Sequence, residues 1–292
     1  MNERDWKLLL VLYEQKSITK ASGVLHITQP ALSARLRMVE EFFGVQIVVR
    51  GKKGVQFTAE GEYLVRKARD VLMEFDRVRD VLGGMRNMIA GTLRIGASHF
   101  FTRYILPTLL KNFKALYPSV EFRVQTGWSN DLVQQVLRND LHLAFIREDH
   151  GWSGIKRLLF TEHLLIASRD AFSIEDMPRL PQIHHTNDQS NQMLINNWWV
   201  EHFNVPPQIG MMVDHVDTCL EMIKKGLGYG FLPSRIVQRV DGLHTKKMRY
   251  RSGKLLERST WMIFKEETAN LRLIQEFFNM VADVDFSAPE YI

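Results

Sequence analysis

One uninterrupted helical pattern, at residues 59–88, constrains most strongly what this chain can fold into. Apolar residues recur at helical spacing along the whole stretch, and Thr58 precedes it as a helix-capping residue. At about 1.5 Å per residue, a helix of about thirty residues is about 45 Å long, which exceeds the width of a small domain. The pattern therefore predicts an N-terminal domain at 1–58, a linker helix at 59–90 and a C-terminal domain at 91–292.

The apolar residues of the linker helix form one continuous stripe. They are Leu64, Ala68, Val71, Leu72, Phe75, Val78 and Leu82. A helix with such a long apolar stripe is covered most simply by a partner helix, as in a coiled coil. We therefore expect a homodimer through the linker helix.

Basic residues are concentrated near the N-terminus. The chain has a formal net charge of +5, and the stretch from Lys16 to Arg69 holds ten Lys and Arg against four Asp and Glu. Residues 91–292 are nearly neutral, with 23 basic against 22 acidic side chains. A positive field confined to the N-terminal part indicates contact with phosphates, and the expected partner is double-stranded DNA.

The N-terminal domain has the pattern of a helix-turn-helix. An amphipathic helix is predicted at 3–15, Ser17 can cap a second helix, and Thr28 can cap a third. Pro30 then falls in the first turn of the third helix, where its missing N–H removes no hydrogen bond. A short helix, a three-residue turn and a further helix have the geometry that places the last helix in the major groove.

A hairpin is expected directly after this motif. Gly44 ends the third helix, and the strands are predicted at 47–50 and 55–57. The tip between them contains Lys52 and Lys53, which can lie on the DNA backbone. The N-terminal domain is therefore predicted to be an all-α-type winged helix-turn-helix.

The C-terminal domain alternates between strand and helix patterns. Strands predicted at 92–96, 120–126 and 141–146 are separated by amphipathic helices, which indicates a parallel α/β fold. In open α/β sheets, ligands bind at the carboxyl ends of the strands. The polar residues at those ends are Ser98, His99, Ser129 and Arg147. Hydroxyls, helix N-termini and one fixed cation suit a carboxylate or another small anion.

The C-terminal domain is expected to have two lobes. The chain leaves the first lobe at 164–168, and the strand 259–264 returns to it. Two crossings predict a hinged cleft between lobe 1, at about 91–163 and 265–292, and lobe 2, at about 164–264.

Several motifs resemble those of the LysR-type transcriptional regulators. They are Ala21-Ser-Gly-Val-Leu25, Ile27-Thr-Gln-Pro-Ala-Leu-Ser33, Leu36, Val39-Glu40, Gly44, Arg50 and Phe57-Thr-Ala-Glu-Gly61. The resemblance covers the whole chain. It implies this helix-turn-helix, a dimerising linker helix and a two-lobed sensor domain like the periplasmic binding proteins, often in a homotetramer.

The resemblance also implies which residues contact DNA. Base contacts are implied for Gln29, Pro30 and Ser33, whereas Ala34 stands where the family often has Arg, with Arg35 next to it. The full set of expected contacts is Thr28, Gln29, Pro30, Ser33, Arg35, Arg37, Arg50, Lys52 and Lys53.

A second group of motifs resembles a citrate-responsive subgroup of that family, the catabolite control protein C subgroup. They are Thr126-Gly-Trp-Ser129, His142-Leu-Ala-Phe-Ile-Arg147, Trp198-Trp199, Val213-Asp214 with Asp217-Thr-Cys219, and Arg258-Ser-Thr-Trp261. This resemblance implies a small carboxylate effector such as citrate. The expected effector contacts are Ser98, His99, Ser129, Arg147, Ser190 and Arg258.

The same residues also have ordinary structural interpretations, which the sequence leaves open. Arg147 can be a salt-bridged residue at a strand end, and Ser98 and Ser129 can be plain helix caps. The pair Trp198-Trp199 is expected to pack, and the pair His184-His185 to be structural, because no clustered acid or cysteine accompanies it as a metal ligand.

Other functional classes are disfavoured. The chain has no phosphate loop and no serine-hydrolase, zinc-protease or dinucleotide motif, so we expect neither an enzyme nor a cofactor beyond the effector. A solute-binding protein of transport type is the main alternative, since it would share the sensor fold. The single cysteine, Cys219, and the lack of an export signal or a long apolar stretch predict a cytoplasmic protein without a membrane span.

Overall fold

The computed structural model describes residues 1–51, 54–85, 89–186 and 189–291. The helices are α1 (Glu3–Gln15), α2 (Ile18–Leu25), α3 (Gln29–Phe43), α4 (Ala59–Met85), α5 (His99–Tyr104), α6 (Leu106–Leu116), α7 (Ser129–Leu137), α8 (Gln189–His202), α9 (Val216–Lys224), α10 (Ser234–Val237), α11 (Glu266–Ala269) and α12 (Arg272–Ala282). The strands are β1 (Val48–Gly51), β2 (Gly54–Phe57), β3 (Gly91–Ala97), β4 (Val120–Thr126), β5 (Leu143–Arg147), β6 (Ile155–Ser168), β7 (Gln182–His185), β8 (Ile209–Val213), β9 (Tyr229–Pro233), β10 (His244–Lys247) and β11 (Glu257–Phe264).

Helices α2 and α3 begin at the caps that the sequence predicts, and α1 begins after Asn2, whose side chain caps it. The Ser17 hydroxyl accepts a hydrogen bond from the Lys20 N–H at 3.4 Å, and the Thr28 hydroxyl accepts one from the Ala31 N–H at 3.4 Å. The three helices then enclose a small core that includes Leu9, Leu32 and Leu36. These helices are therefore fixed relative to one another by caps and by a shared apolar core.

Strands β1 and β2 form the predicted antiparallel hairpin, with Arg50 opposite Val55 and Gly51 opposite Gly54. The hairpin is held on the turn between α1 and α2, because the Val55 N–H donates to the Lys16 carbonyl at 2.9 Å. At Gly54, φ is +112°, and a Cβ atom there would lie 2.5 Å from that same carbonyl oxygen. Glycine is therefore required where the hairpin meets the helices.

Helix α4 is the predicted linker, but its apolar stripe is covered only in part. Leu64 and Ala68 are buried, and α4 packs along α1 at this end. Phe75, Val78 and Leu82 remain exposed. The expectation that a partner helix covers the whole stripe is therefore wrong for the first turns, because the N-terminal domain of the same chain covers them.

The C-terminal domain is built on one long sheet path, in the order β4-β3-β5-β11-β6-β9-β7-β8, with β10 paired to β6. Strands β3, β4 and β5 are parallel, as expected, and β11 pairs antiparallel with both β5 and β6. The amphipathic stretch after β3 is two helices rather than one. Ile105 lies between them, and Pro107, which cannot donate a backbone hydrogen bond, lies in the first turn of α6.

The 14-residue strand β6 connects the two lobes. Its first part pairs with β11 through His163, and its second part pairs with β9 and β10 from Leu164 onwards. Strand β11 lies between β5 and β6. The chain therefore re-enters the sheet of lobe 1 at Glu257, close to the expected return at 259–264 and before the approximate boundary expected at 265.

Ion pairs hold α4 against lobe 1. Arg69 pairs with Asp140 in the turn before β5, and Arg94 Nη1 lies 2.8 Å from Asp76 Oδ2. On the other side of α4, Arg79 pairs with Glu3 of α1. The linker helix thus contacts both the N-terminal domain and the amino ends of β3 and β5.

Candidate functional site

The N-terminal end of α3 presents an exposed polar face. Thr28, Gln29, Pro30 and Arg37 are exposed, and Ser33 is half-buried. At 3.6 residues per turn, residues 29, 33 and 37 lie on one side of the helix. The side-chain oxygen Oε1 of Gln29 also accepts a hydrogen bond from Thr19 of α2 at 3.3 Å. The face is therefore suited to reach into a groove of DNA.

Arg35 does not lie on this exposed face, because it contacts α1. Its guanidinium holds both carboxylate oxygens of Asp5 in α1, through Nε to Oδ1 and through Nη2 to Oδ2, the latter at 2.8 Å. At about 100° per residue, Arg35 lies about 160° around α3 from Arg37. The grouping of Arg35 with the exposed DNA contacts is therefore corrected, because Arg35 is used to fix α3 to α1.

The hairpin carries the other expected DNA contacts. The backbone of Arg50 lies in β1, next to the tip. Lys52 and Lys53 lie outside the described residues.

A cavity of about 410 Å³ lies between the two lobes of the C-terminal domain. The carboxyl ends of β3, β4 and β5 meet there, because the Ser98 N–H donates to the Phe145 carbonyl at 3.1 Å and the Gly127 N–H donates to the Ala97 carbonyl at 3.2 Å. The polar lining includes Ser98, His99, Thr102, Arg103, Thr126, Arg147, His185, Thr186, Asn191, Asp214, His215, Asp217, Thr218 and Arg258.

Two buried arginines at this cavity share one buried carboxylate. Arg147 Nη1 lies 2.8 Å from Glu162 Oε1, and Arg258 Nη2 lies 2.9 Å from the same oxygen. Glu162 and Arg258 are opposite each other on β6 and β11, so the sheet register itself brings them together. Arg147 Nη1 also donates to Thr260 of β11.

A third buried arginine, Arg235, lies beside this pair, and its Nη1 donates to the Tyr291 carbonyl at 2.9 Å. Its backbone N–H donates to Glu162 Oε2 at 3.4 Å, and its guanidinium lies 3.9 Å from the centre of the Phe160 ring. Arg147, Arg235 and Arg258 are each less than 10% exposed, and so is Glu162. Burial, with Arg258 close by, lowers the pKa of Arg147 to about 9. Burial opposes ionisation of Glu162, but Arg258 and Arg147 outweigh it and hold the pKa of that carboxyl below its usual value.

Two buried polar atoms among the described residues of this cavity have no hydrogen-bond partner. They are Nη2 of Arg147 and Oγ of Ser98. Buried donors are normally paired, so each unpaired one is a position where a ligand atom can bind. A guanidinium N–H and a hydroxyl together match a carboxylate oxygen.

Comparison of the sequence with known protein families identifies the family of this chain. The chain matches the family described as "Bacterial regulatory helix-turn-helix protein, lysR family" at residues 4–62 and the "LysR substrate binding domain" at residues 86–285. The chain belongs to the LysR family. It is a DNA-binding transcriptional regulator with an effector-binding domain.

Relatives cover nearly the full length of this LysR regulator. It is 37% identical to the uncharacterised HTH-type transcriptional regulator YraN of Bacillus subtilis (strain 168), over 96% of this chain and 97% of the relative. It is 30% identical to YkuM of the same organism, another uncharacterised HTH-type transcriptional regulator, over 97% of this chain and 98% of the relative. The transport-type solute-binding alternative is therefore dropped, because the similarity to regulators includes the helix-turn-helix.

Solved structures share the fold. A full-length OxyR variant from Pseudomonas aeruginosa has a TM-score of 0.71 at 18% identity, and covers 98% of this chain and 96% of its own. Full-length CbnR complexed with its target DNA has a TM-score of 0.63 at 18% identity, and covers 97% of this chain and 99% of its own. The predicted fold class, a winged helix-turn-helix with a linker helix and a two-lobed α/β sensor, is confirmed.

The LysR sensor brings together four of the six expected effector contacts. Ser98, His99, Arg147 and Arg258 all line the cavity. Ser129 and Ser190 are not among its lining residues. The Ser129 hydroxyl instead accepts a hydrogen bond from the Arg147 N–H at 3.0 Å, so that Ser129 acts on the cavity by holding Arg147.

His99 contributes a ring rather than a charge. Its ring centre lies 5.0 Å from that of His215 in lobe 2 and 5.3 Å from that of Trp128. Burial and the neighbouring His215 lower the pKa of His99. The fixed positive charge of the cavity therefore comes from its arginines.

Trp198, Trp199 and Cys219 are structural, whereas His185 of the pair His184-His185, also expected to be structural, lines the cavity. Trp198 and Trp199 are buried in lobe 2, and their indole N–H groups donate to the carbonyls of Arg249 and Val205, each at 2.8 Å. Cys219 is buried, and burial raises the pKa of its thiol to about 12, which leaves it unreactive as a thiolate.

No group of three or more potential metal ligands is found in the described ranges. Within the same part of the chain, no helix has the length and apolar character needed to cross a bilayer.

Proposed function

We propose that this LysR-type regulator binds a small anionic effector in the cavity between its lobes, and that the effector modulates binding to its operator. The single observation that carries the proposal is the buried charge. The guanidinium groups of Arg147 and Arg258 share one buried carboxylate, that of Glu162, and Arg147 keeps an unpaired N–H at the cavity wall. Buried charge is costly unless it is paired, so an anion in the cavity is stabilised strongly.

The excess charge favours a carboxylate on the effector. Glu162 is shared by Arg147 and Arg258, which leaves one positive charge in excess on this wall of the cavity. A carboxylate of the effector supplies the missing negative charge, and Arg147 can bind it through hydrogen bonds assisted by charge. Citrate is our first candidate, because the sequence motifs resemble those of a citrate-responsive subgroup.

The DNA contacts follow from the exposed face of α3 and from the hairpin. We infer that Gln29 and Ser33 read base edges in the major groove, together with Thr28 and Pro30, while Arg37 binds phosphates. Arg50, Lys52 and Lys53 are proposed to bind phosphates from the hairpin.

The exposed end of the linker helix supports a homodimer. Phe75, Val78 and Leu82 leave large apolar groups in contact with water in a single chain. A second α4 covers them, and two copies place two α3 helices on successive turns of DNA. A homotetramer through sensor contacts is proposed from the family resemblance.

Band shifts test the DNA part of the proposal. The probes are an operator fragment selected from genomic DNA by the wild-type protein and a random fragment of equal length. Gln29→Ala should weaken binding to the operator by about 1–3 kcal/mol, the value of a bidentate base contact, and leave random DNA nearly unaffected. Gln125→Ala, an exposed glutamine in the sensor, is the control. An equal loss on both probes would show that Gln29 does not read bases.

A further inference from the structure

The two walls of the cavity carry opposite charges. Arg147 and Arg258 lie on the side formed by β5 and β11. Asp214 and Asp217 lie on the side formed by lobe 2, where β8 leads into α9. An effector that spans the cleft therefore meets cations on one side and carboxylates on the other.

Asp217, one of the two lobe 2 carboxylates, already has hydrogen-bond partners within the protein. Asp217 accepts a hydrogen bond from Arg103 Nη1 at 3.1 Å and another from the Tyr104 hydroxyl, and both partners belong to α5 of lobe 1. These contacts neutralise Asp217 and join the lobes beside the cavity. An effector gains little from Asp217 as long as they remain.

Asp214 has no such partner. It lies between the end of β8 and His215, the N-cap of α9, and no ion pair or hydrogen bond to its side chain is found in the described part of the chain. Its carboxylate is therefore available to the cavity as an acceptor. A carboxylate accepts hydrogen bonds from hydroxyl and ammonium groups and repels another carboxylate.

We propose that Asp214 makes the cavity selective for carboxylate effectors that also carry a hydrogen-bond donor, a hydroxyl or an ammonium group. The carboxylates of the effector bind at Arg147, Arg258 and Ser98, and the donor binds at Asp214 across the cleft. This inference rests on the proposed anionic effector and narrows its class. It selects citrate over tricarballylate, which has the same three carboxylates and lacks the hydroxyl, and malate or aspartate over succinate.

Calorimetry on the full-length protein with these matched ligands tests the inference. For the wild type, we expect the donor-bearing member of at least one pair to bind about tenfold or more tightly than its donorless partner, the usual size of a hydrogen bond to a charged group. Asp214→Ala should bring that ratio close to one, mainly by weakening the donor-bearing ligand. Asp241→Asn, an exposed acid elsewhere in lobe 2, should keep the wild-type ratio.

Asp214→Asn identifies the donor. The amide retains an acceptor oxygen without the charge, so the preference for a hydroxyl ligand should largely persist, whereas the preference for an ammonium ligand should be lost. Wild-type ratios close to one, or ratios unchanged in Asp214→Ala, would overturn the role of Asp214 and leave the anionic effector standing. Absence of binding by every carboxylate at millimolar concentration would overturn both proposals.

Discussion

At the scale of single residues, Glu162 determines the charge balance of the cavity. It is the one carboxylate that the described residues place against Arg147 and Arg258, and it also accepts the Arg235 N–H. Removal of one partner from a buried charged cluster leaves the others uncompensated. Glu162 thus holds the arginines in place without itself lining the cavity.

Replacement of Glu162 should therefore be costly when the cavity is empty. Glu162→Gln is expected to lower the free energy of unfolding by about 3–5 kcal/mol, the range for a broken buried pair. Urea unfolding of the full-length protein measures this change. Glu257→Gln, which removes an exposed partner of His163 on the neighbouring strand, should have an effect below about 1 kcal/mol. A loss for Glu162→Gln as small as for Glu257→Gln would show that the cluster is not held by this carboxylate.

At the scale of elements, helix α4 changes its surroundings along its length. Its first turns are buried under α1, its middle is paired with lobe 1 through Arg69, and its last turns expose Phe75, Val78 and Leu82. The exposed part is the section of the stripe that its own chain leaves uncovered. It is therefore where a second copy is expected to bind.

A charged residue in the exposed part of α4 should dissociate the dimer. Val78→Glu places a carboxylate in the proposed helix pair, where burial without a partner is unfavourable. Sedimentation at micromolar concentration should show at least a dimer for the wild type and a monomer for Val78→Glu. Val200→Glu, at an exposed apolar position of α8, should sediment like the wild type. A monomeric wild-type protein, or a Val78→Glu variant that remains dimeric, would contradict pairing through α4.

The elements that sequence predicts well are those with local signals. Ser17, Thr28 and Gly44 mark the ends of helices in the N-terminal domain because capping depends on neighbouring residues. The first half of β6 was not predicted, since its residues are largely exposed and show no simple alternation. Glu162 lies on that strand, and its partners are 15 and 96 residues away, so only the sheet register reveals the cluster.

Arg35 is a second residue whose partner the sequence does not reveal. The family resemblance placed it among the expected DNA contacts, whereas its partner is Asp5 of α1. The angular position of Arg35 on α3 was available from the sequence. That α1 presents Asp5 to this side of α3 follows only from the packing of the three helices.

At the scale of the whole molecule, the cavity and the linker lie at opposite ends of the same strands. Strand β3 runs from Arg94, which contacts Asp76 of α4, towards Ser98, and β5 runs from the turn at Asp140 to Arg147. A ligand that prefers one arrangement of the lobes shifts the population towards it, by as much as its affinities for the two arrangements differ. The described contacts give such a shift a direct route to α4 and to the DNA-binding domain.

The most direct test of the central claim is calorimetry of full-length wild-type protein and Arg147→Ala with citrate, at equal protein concentration and after equal melting temperatures have been confirmed. Arg123→Ala, an exposed arginine on β4, is the matched control. We predict saturable citrate binding to the wild type and Arg123→Ala, and none at millimolar citrate to Arg147→Ala, with operator binding retained by all three. Citrate binding of equal strength to Arg147→Ala and the wild type would contradict an anionic effector site at this cavity.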